Sequence, residues 1–281
     1  MYLDIKKYLR KLLVNLKLNI FAGIFYFKNK LFIIESSKAI KEIMLKISSL
    51  KIKEKSDLPI HLAIGHENLS ATISALKNDD DSFSLTHRNI HFNIALSKKS
   101  DYEKIINETL LYDNSINNGN YGCMTMRSRK NGIKYTSSIL GNNISVGLGI
   151  ASTNLNNAVT WIQTGDGAIE EGAFYEAIVF AKSRNLPVIF IIENNNWSLG
   201  SSIKERRHEI KIKYLSKSLG IGFQQIKNIN SIFEISTKIF KARKRAINNP
   251  QIIEVNLKTL GGQKSSTREY QSYHCGVIRE D

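Results

Sequence analysis

Between Ala158 and Asn195 two apolar runs, Ala158 to Gln163 and Val188 to Ile192, flank a stretch in which Phe174, Ala177, Ile178 and Ala181 recur at helical spacing. A continuous apolar run bounded by polar residues fits a strand covered on both faces, as in a parallel sheet with helices on each side. Leu186-Pro187 ends the intervening helix, because the residue before a proline disfavours helical backbone. Glu170 and Glu171 fall in that helix's first turn, where they complement its dipole. A helix around Tyr214 to Leu219, a strand from Gly222 to Ile226, a helix from Ser231 to Ile247 and a strand from Gln251 to Leu257 follow. The alternation predicts an α/β fold, with a mostly parallel sheet flanked by helices.

Upstream, His66 to Lys77 reads as a helix introduced by Gly65, and Asn114 to Lys134 as a long surface loop. Residues 1–55 read as a basic helical extension and 56–281 as the remaining domain. In the extension Ile5, Leu9, Leu12, Leu13 and Leu16 share one helical face, with Lys6, Lys7, Arg10, Lys11 and Lys17 around them. The expectation is that this face packs on its own domain or on a sister subunit rather than on a membrane. The most apolar stretch, Leu18 to Phe27, is too short to span a bilayer and contains Asn19.

The net charge of +15 invites a nucleic-acid reading. The lysines are spread among Asn and Ile, however, and no segment interleaves basic and aromatic residues as a nucleic-acid platform does, so no nucleic-acid partner is expected. Two cysteines, Cys123 and Cys275, without a C-x-x-C pair argue against a disulfide framework or zinc site and suit a reducing cytoplasm.

In a right-handed strand–helix–strand unit both strands end on the same sheet edge, where ligands of such folds bind. Asp166 follows the first strand and Asn194-Asn195 the second, with Asp166 and Asn195 29 positions apart. If the strands are neighbours, about 4.8 Å separates them and the two polar side chains converge. One carboxylate and one amide oxygen suit Mg²⁺ that takes its other oxygens from water and a ligand's phosphates. Gly165 and Gly167 are expected to allow a tight turn and close approach of the phosphates. No G-x-G-x-x-G follows an early strand, which tells against a dinucleotide-binding oxidoreductase.

The segment QTGDGAIEEGAFYEAIVFAKSRNLPVIFIIENNNWSLG, Gln163 to Gly200, resembles the diphosphate motif of the thiamine-diphosphate superfamily. It is most similar to the α subunit of the decarboxylating component of 2-oxo-acid dehydrogenase complexes, and the likeness runs from about His61 to Leu257. The resemblance implies a thiamine-diphosphate-binding fold with Asp166, Asn195 and the carbonyl of Trp197 on Mg²⁺, and Gly165, Gly167 and Ala168 at the diphosphate. AIGHENLSA, Ala63 to Ala71, resembles the family's Gly-Gln-Glu helix start, and Thr86-His87-Arg88 its segment with an Arg on the diphosphate. Ser138 and Leu140 match the turn at the aminopyrimidine, while Gly147, Gly149 and Ala151 give a small-residue helix face for close packing.

Where the family places histidines that handle an oxo acid, this chain has Ile90 (with His91 beside it), Thr125 and Gly262. His91 is one catalytic candidate. His274, in Tyr273-His274-Cys275-Gly276, is the other, by a likeness to split transketolase-like subunits. These departures tell against pyruvate and against acyl transfer to a lipoyl carrier protein. The resemblance implies addition of the cofactor to a carbonyl of a 2-oxo acid or ketose-like substrate, through a carbanion or enamine, with a transketolase-like subunit as the alternative. It also implies a β-type subunit that brings the pyrimidine-binding half and the activating glutamate, in a heterotetramer.

Overall fold

The computed structural model describes residues 2–54, 58, 60–198, 201–262 and 276–277. Helices α1 (Tyr2–Lys53) and α2 (Glu67–Leu76) precede β1 (Ser82–Thr86), α3 (Ile90–Leu96), α4 (Tyr102–Thr109), α5 (Gly122–Thr125) and β2 (Ile133–Ser137). Next come α6 (Asn142–Ala151), β3 (Thr160–Gly165), α7 (Gly172–Ser183), β4 (Val188–Asn194), β5 (Trp197–Ser198) and β6 (Ser201–Ser202). Then follow α8 (Ile203–Arg206), α9 (Ile212–Leu219), β7 (Gly222–Ile226), α10 (Ile232–Ala246) and β8 (Gln251–Asn256).

Six strands form one sheet in the order β2-β1-β3-β4-β8-β7, every pair parallel. The two apolar runs are the central neighbours β3 and β4, as their composition requires. Along β4, Ile189 and Ile191 join Trp161, Leu69 and Ile235 on one face, while Phe190 and Ile192 join Ile144, Phe174 and Ile178 on the other. Period-two geometry therefore sends a continuous apolar run into two separate cores. The expected α/β architecture is the observed one.

Several boundaries differ from expectation. The strand before the Gly-Asp-Gly turn is Thr160–Gly165 rather than Ala158 to Gln163. Glu170 lies in a short 3₁₀ turn and Glu171 at the N-cap of α7, so neither is inside that helix. β1 and β2 carry no apolar run: Phe83, Leu85 and Ile133 enter the core, and polar side chains between them are satisfied internally. The Ser84 hydroxyl donates to the Asn143 carbonyl at 2.7 Å and that of Thr136 to the Thr125 carbonyl at 2.8 Å.

The segment from Asn114 to Lys134 contains α5 and the start of β2. Its first part is ordered around Glu108, whose carboxylate accepts from Ser115 Oγ and from the backbone amides of Asn117, Gly119, Tyr121 and Gly122. Burial pushes this carboxyl up, but those hydrogen bonds outweigh it and hold the group below its ordinary range.

The long α1 buries Ala22, Ile33, Ile40, Met44 and Ile47. Leu9, Leu12, Leu13 and Leu16 stay exposed, so this part of the N-terminal row does not pack on its own domain. No helix among the described residues is long and apolar enough to cross a membrane. The small-residue face on α6 reduces to one close contact: a Cβ at Gly147 would meet Ile162 Cδ1 at 2.6 Å, whereas Gly149 faces open space.

Beneath the sheet a buried ion pair ties β1, β3 and α10 together. Arg243 Nε and Nη2 donate to Asp81 Oδ2 and Oδ1 at 2.9 and 2.8 Å, and Trp161 Nε1 and the Val159 amide complete the carboxylate's partners. Removing one partner of such a pair strands a buried charge and costs about 3–5 kcal/mol. Asp81→Ala is expected to lose stability of that order in urea unfolding, and a loss below about 1 kcal/mol would show that Arg243 reaches solvent instead.

Candidate cofactor site

The register of β3 against β4 pairs Gly165 with Glu193, which places the residues after both strands at one sheet edge. A pocket opens there, lined by His66, Thr86, His87, Arg88, Leu140, Thr164, Gly165, Asp166, Gly167, Ala168, Glu193, Asn195, Trp197 and Ser198. Eight of the nine residues expected at the cofactor, and all three expected at the metal, line this pocket. Ser138 is exposed and does not line it, although Leu140 of the same turn does. His274 lies outside the described residues.

Asp166 is almost fully buried. Burial raises its carboxyl above the ordinary range, and Arg206, whose Nη2 lies 2.8 Å from Oδ2, opposes that shift. The backbone amide of Asn195 donates to the same carboxylate, so the two strand ends are joined directly. Asn195 Oδ1 accepts from the Trp197 amide and its Nδ2 donates to Thr259 Oγ1, both at 3.0 Å. Arg206 Nε and Arg207 Nε both donate to Glu170 Oε1, which gathers two guanidinium groups beside the turn.

The two glycines do different work from that expected. Neither has a positive φ, so the turn itself does not demand glycine. Gly167 is required by close packing: a Cβ there would meet Ser198 Oγ at 2.5 Å, whereas one at Gly165 would have no neighbour nearer than 4.0 Å.

The residues fit a metal-bound diphosphate. The Thr164 hydroxyl lines the pocket, is buried and has no hydrogen-bond partner among the described residues, which leaves one donor for an anionic oxygen. The carboxylate of Asp166 faces a cation position, held here by Arg206. Arg88 is buried and its Nη1 donates to the Leu62 carbonyl, which anchors its guanidinium at the pocket wall.

Below the pocket Glu193 is enclosed by three nitrogen donors. His66 Nδ1 lies 3.0 Å from Oε2, His91 Nε2 3.0 Å from Oε1, and Gln163 Nε2 2.9 Å from Oε2. Burial alone would raise the Glu193 carboxyl, but His91 and His66 hold it well below the carboxylate range. Burial dominates at His66 and lowers its pKa, so an ionised carboxylate sits between imidazoles of which His66 is neutral. His91 does not line the pocket and meets its lining through Glu193 and the ring of His66.

Sequence reasoning passed over His66, Thr164, Glu193, Arg206 and Arg207. Glu193 sits two residues before Asn195 and could have been found from the strand's final turn inward. Two arginines in a chain of net charge +15 carry no signal of their own.

A profile of the dehydrogenase E1 component family matches residues 35–266. The chain belongs to that family. The α subunit of the pyruvate dehydrogenase E1 component from Rickettsia bellii is 30% identical over 168 residues, covering 58% of this chain and 51% of that protein. The corresponding subunit from Rhizobium meliloti is 33% identical over 113 residues, 39% of this chain and 32% of its own. The chain thus spans about half the length, or less, of these relatives. Transketolase from Leishmania mexicana shares the fold, with a TM-score of 0.62 and 18% identity over 79% of this chain and 36% of that one. Membership of the E1 family implies thiamine diphosphate as the cofactor.

Burial, reinforced by the neighbouring Arg88, lowers the pKa of His87 from 6.5 to about 4. As pH falls below 6.5 the unfolded chain takes up a proton that the folded chain refuses until about 4. The stability contributed by neutral His87 is therefore present above pH 6.5 and lost as pH falls through about 4, a change of roughly 3 kcal/mol in all. His87→Gln should flatten the fall of unfolding free energy over that window. Parallel curves for the two proteins in urea titrations across pH would refute the assignment.

Proposed function

We propose that this chain is the α-type subunit of a thiamine-diphosphate-dependent enzyme and holds the cofactor's diphosphate through Mg²⁺. The observation that carries the reading is the convergence of Asp166, Asn195 and Trp197 in one pocket with the unpartnered Thr164 hydroxyl. Asp166 and Asn195 would supply side-chain oxygens to Mg²⁺ and Trp197 its carbonyl, the few-ligand arrangement that suits an ion sharing phosphate oxygens. Gly167 and Ala168 would bring backbone amides to the diphosphate, with Arg88 and His87 on the facing wall. His87, held neutral, serves there as a hydrogen-bonding group and Arg88 as the charge.

Bound thiamine diphosphate supplies a nucleophilic carbon and an electron sink for breaking a bond beside a carbonyl. The chain's own part is to bind, orient and neutralise. The substrate class that fits is a 2-oxo acid or a ketose-like carbonyl compound. Ile90, Thr125 and Gly262, which stand where the resembled subunits carry imidazoles, tell against pyruvate, and a transketolase-like role is the alternative. The partner in this reading is a β-type subunit that completes the pyrimidine side and supplies the activating carboxylate, in an α₂β₂ assembly in the cytoplasm.

Asp166→Ala or Asn195→Ala is expected to abolish Mg²⁺-dependent binding of thiamine diphosphate while the chain stays folded. Both side chains sit at strand ends rather than in a core, and Mg²⁺ tolerates a lost oxygen badly. Calorimetry on the folded variants decides, and unchanged cofactor affinity would sink the assignment. The isolated chain is expected to bind cofactor weakly and to turn over neither 2-oxo acids nor ketose phosphates. Robust turnover by the purified chain alone would mean that no second subunit completes the site.

A further inference from the structure

We infer that His66, His91 and Glu193 form a second metal site, one for a divalent first-row transition ion such as Zn²⁺, Mn²⁺ or Fe²⁺, beneath the cofactor pocket. The inference stands on the cluster itself and is independent of the thiamine reading.

Three donors converge from three different elements. His66 is the N-cap of α2, His91 lies in the first turn of α3, and Glu193 is near the end of β4. Their ligating atoms all lie within 4.8 Å of one another, and all three side chains are buried. Each imidazole meets the carboxylate at 3.0 Å through a different oxygen, so the two nitrogens bracket it. The two rings are 5.3 Å apart between centroids and inclined at 63°, so their nitrogens approach the carboxylate from different directions.

Two nitrogens and a carboxylate form a borderline donor set. Such a set suits transition ions, whereas the all-oxygen arrangement proposed at Asp166 and Asn195 suits Mg²⁺. Three protein ligands leave a further position for water or a small ligand. His66 and Glu193 keep the outer partners that ligating groups ordinarily have. His66 Nε2 lies 3.0 Å from Thr259 Oγ1, which can accept its N–H once Nδ1 binds an ion. Gln163 Nε2 donates to Glu193 at 2.9 Å. His91 Nδ1 has no hydrogen-bond partner among the described residues, so the polar engagement of that ring lies on the Glu193 side. An entry path exists, because His66 and Glu193 also line the pocket. The site would have a consequence for its neighbour: Thr259 Oγ1 touches both His66 and Asn195, so an ion here would steady the amide proposed to hold Mg²⁺.

The test uses the full chain, stripped with a chelator, confirmed folded by circular dichroism and kept in excess Mg²⁺ without thiamine diphosphate. Titration with Co²⁺ should give saturable visible absorption at one equivalent per chain, and Zn²⁺ should displace it. His66→Gln, His91→Gln and Glu193→Gln should each weaken Co²⁺ binding by roughly 10- to 100-fold or more, while Asp166→Asn leaves it unchanged. Absence of saturable Co²⁺ binding by the folded wild-type chain would overturn the site and leave the cluster a hydrogen-bonded one. So would binding that persists in both folded histidine variants, which would place the ion elsewhere. Because the wild-type titration decides by itself, a variant that fails to fold does not protect the inference. Thiamine diphosphate binding is measured separately, so failure of this site and failure of the cofactor reading are told apart.

Discussion

The parallel pairing of β3 with β4 is the constraint from which the rest of the structure follows. Six consecutive residue pairs, Thr160 with Val188 through Gly165 with Glu193, lock the two strands in register. A slip of one residue would exchange the two faces of β4 and drive Ile189 and Ile191 into the core that Phe190 and Ile192 occupy. Because both faces are packed, the register is held by both cores at once. The polar ends have no freedom to drift: Asp166 meets the Asn195 amide, and Glu193 lies in the floor between His66 and His91. The candidate site is thus a product of core packing, with its polar groups carried on the rigid ends of strands.

Much of this was legible because apolar period and turn chemistry agree in the second half of the chain. The helix–strand alternation from Ile212 to Asn256 was readable almost residue by residue, and so was the convergence of Asp166 and Asn195 at the strand ends. The first half resisted for a physical reason. β1 and β2 read SFSLT and IKYTS: neither shows an apolar run, and only β1 alternates, over just five residues, with Phe83 and Leu85 entering the core. Their hydroxyls are absorbed by Asn143, Thr125 and Gln163, partners distant in sequence that no local pattern announces. His66 and Glu193 were missed for the same reason, since 127 positions separate the two ends of their hydrogen bond.

The charge of the chain gains meaning only when placed. Most of its 40 basic residues are scattered, yet a few enter buried polar networks whose satisfaction the fold requires. Arg243 is consumed by Asp81, Arg88 is anchored on a backbone carbonyl, and Arg206 and Arg207 converge on Glu170. A buried carboxylate left without such partners would cost several kcal/mol. Net charge therefore says little about partners here, whereas Arg88 at the pocket wall and Arg206 and Arg207 beside the turn give the site its local positive charge.

A one-residue displacement on α3 separates this chain from the subunits it resembles. Where the resembled subunits carry an imidazole, this chain has Ile90, fully buried in the core cluster shared with α1. The imidazole at the next position, His91, is carried about 100° further round the helix. That rotation is enough to move it from one environment to another, out of reach of the pocket lining and onto Glu193 beneath it. An imidazole buried against a carboxylate can organise the floor but cannot meet a substrate oxygen above it. His66 is the one imidazole that both contacts Glu193 and lines the pocket, and its neutral ring is held on both sides, by Glu193 and by Thr259. Both imidazoles on Glu193 are therefore committed to the buried network, and His87 is the imidazole that lines the pocket outside it.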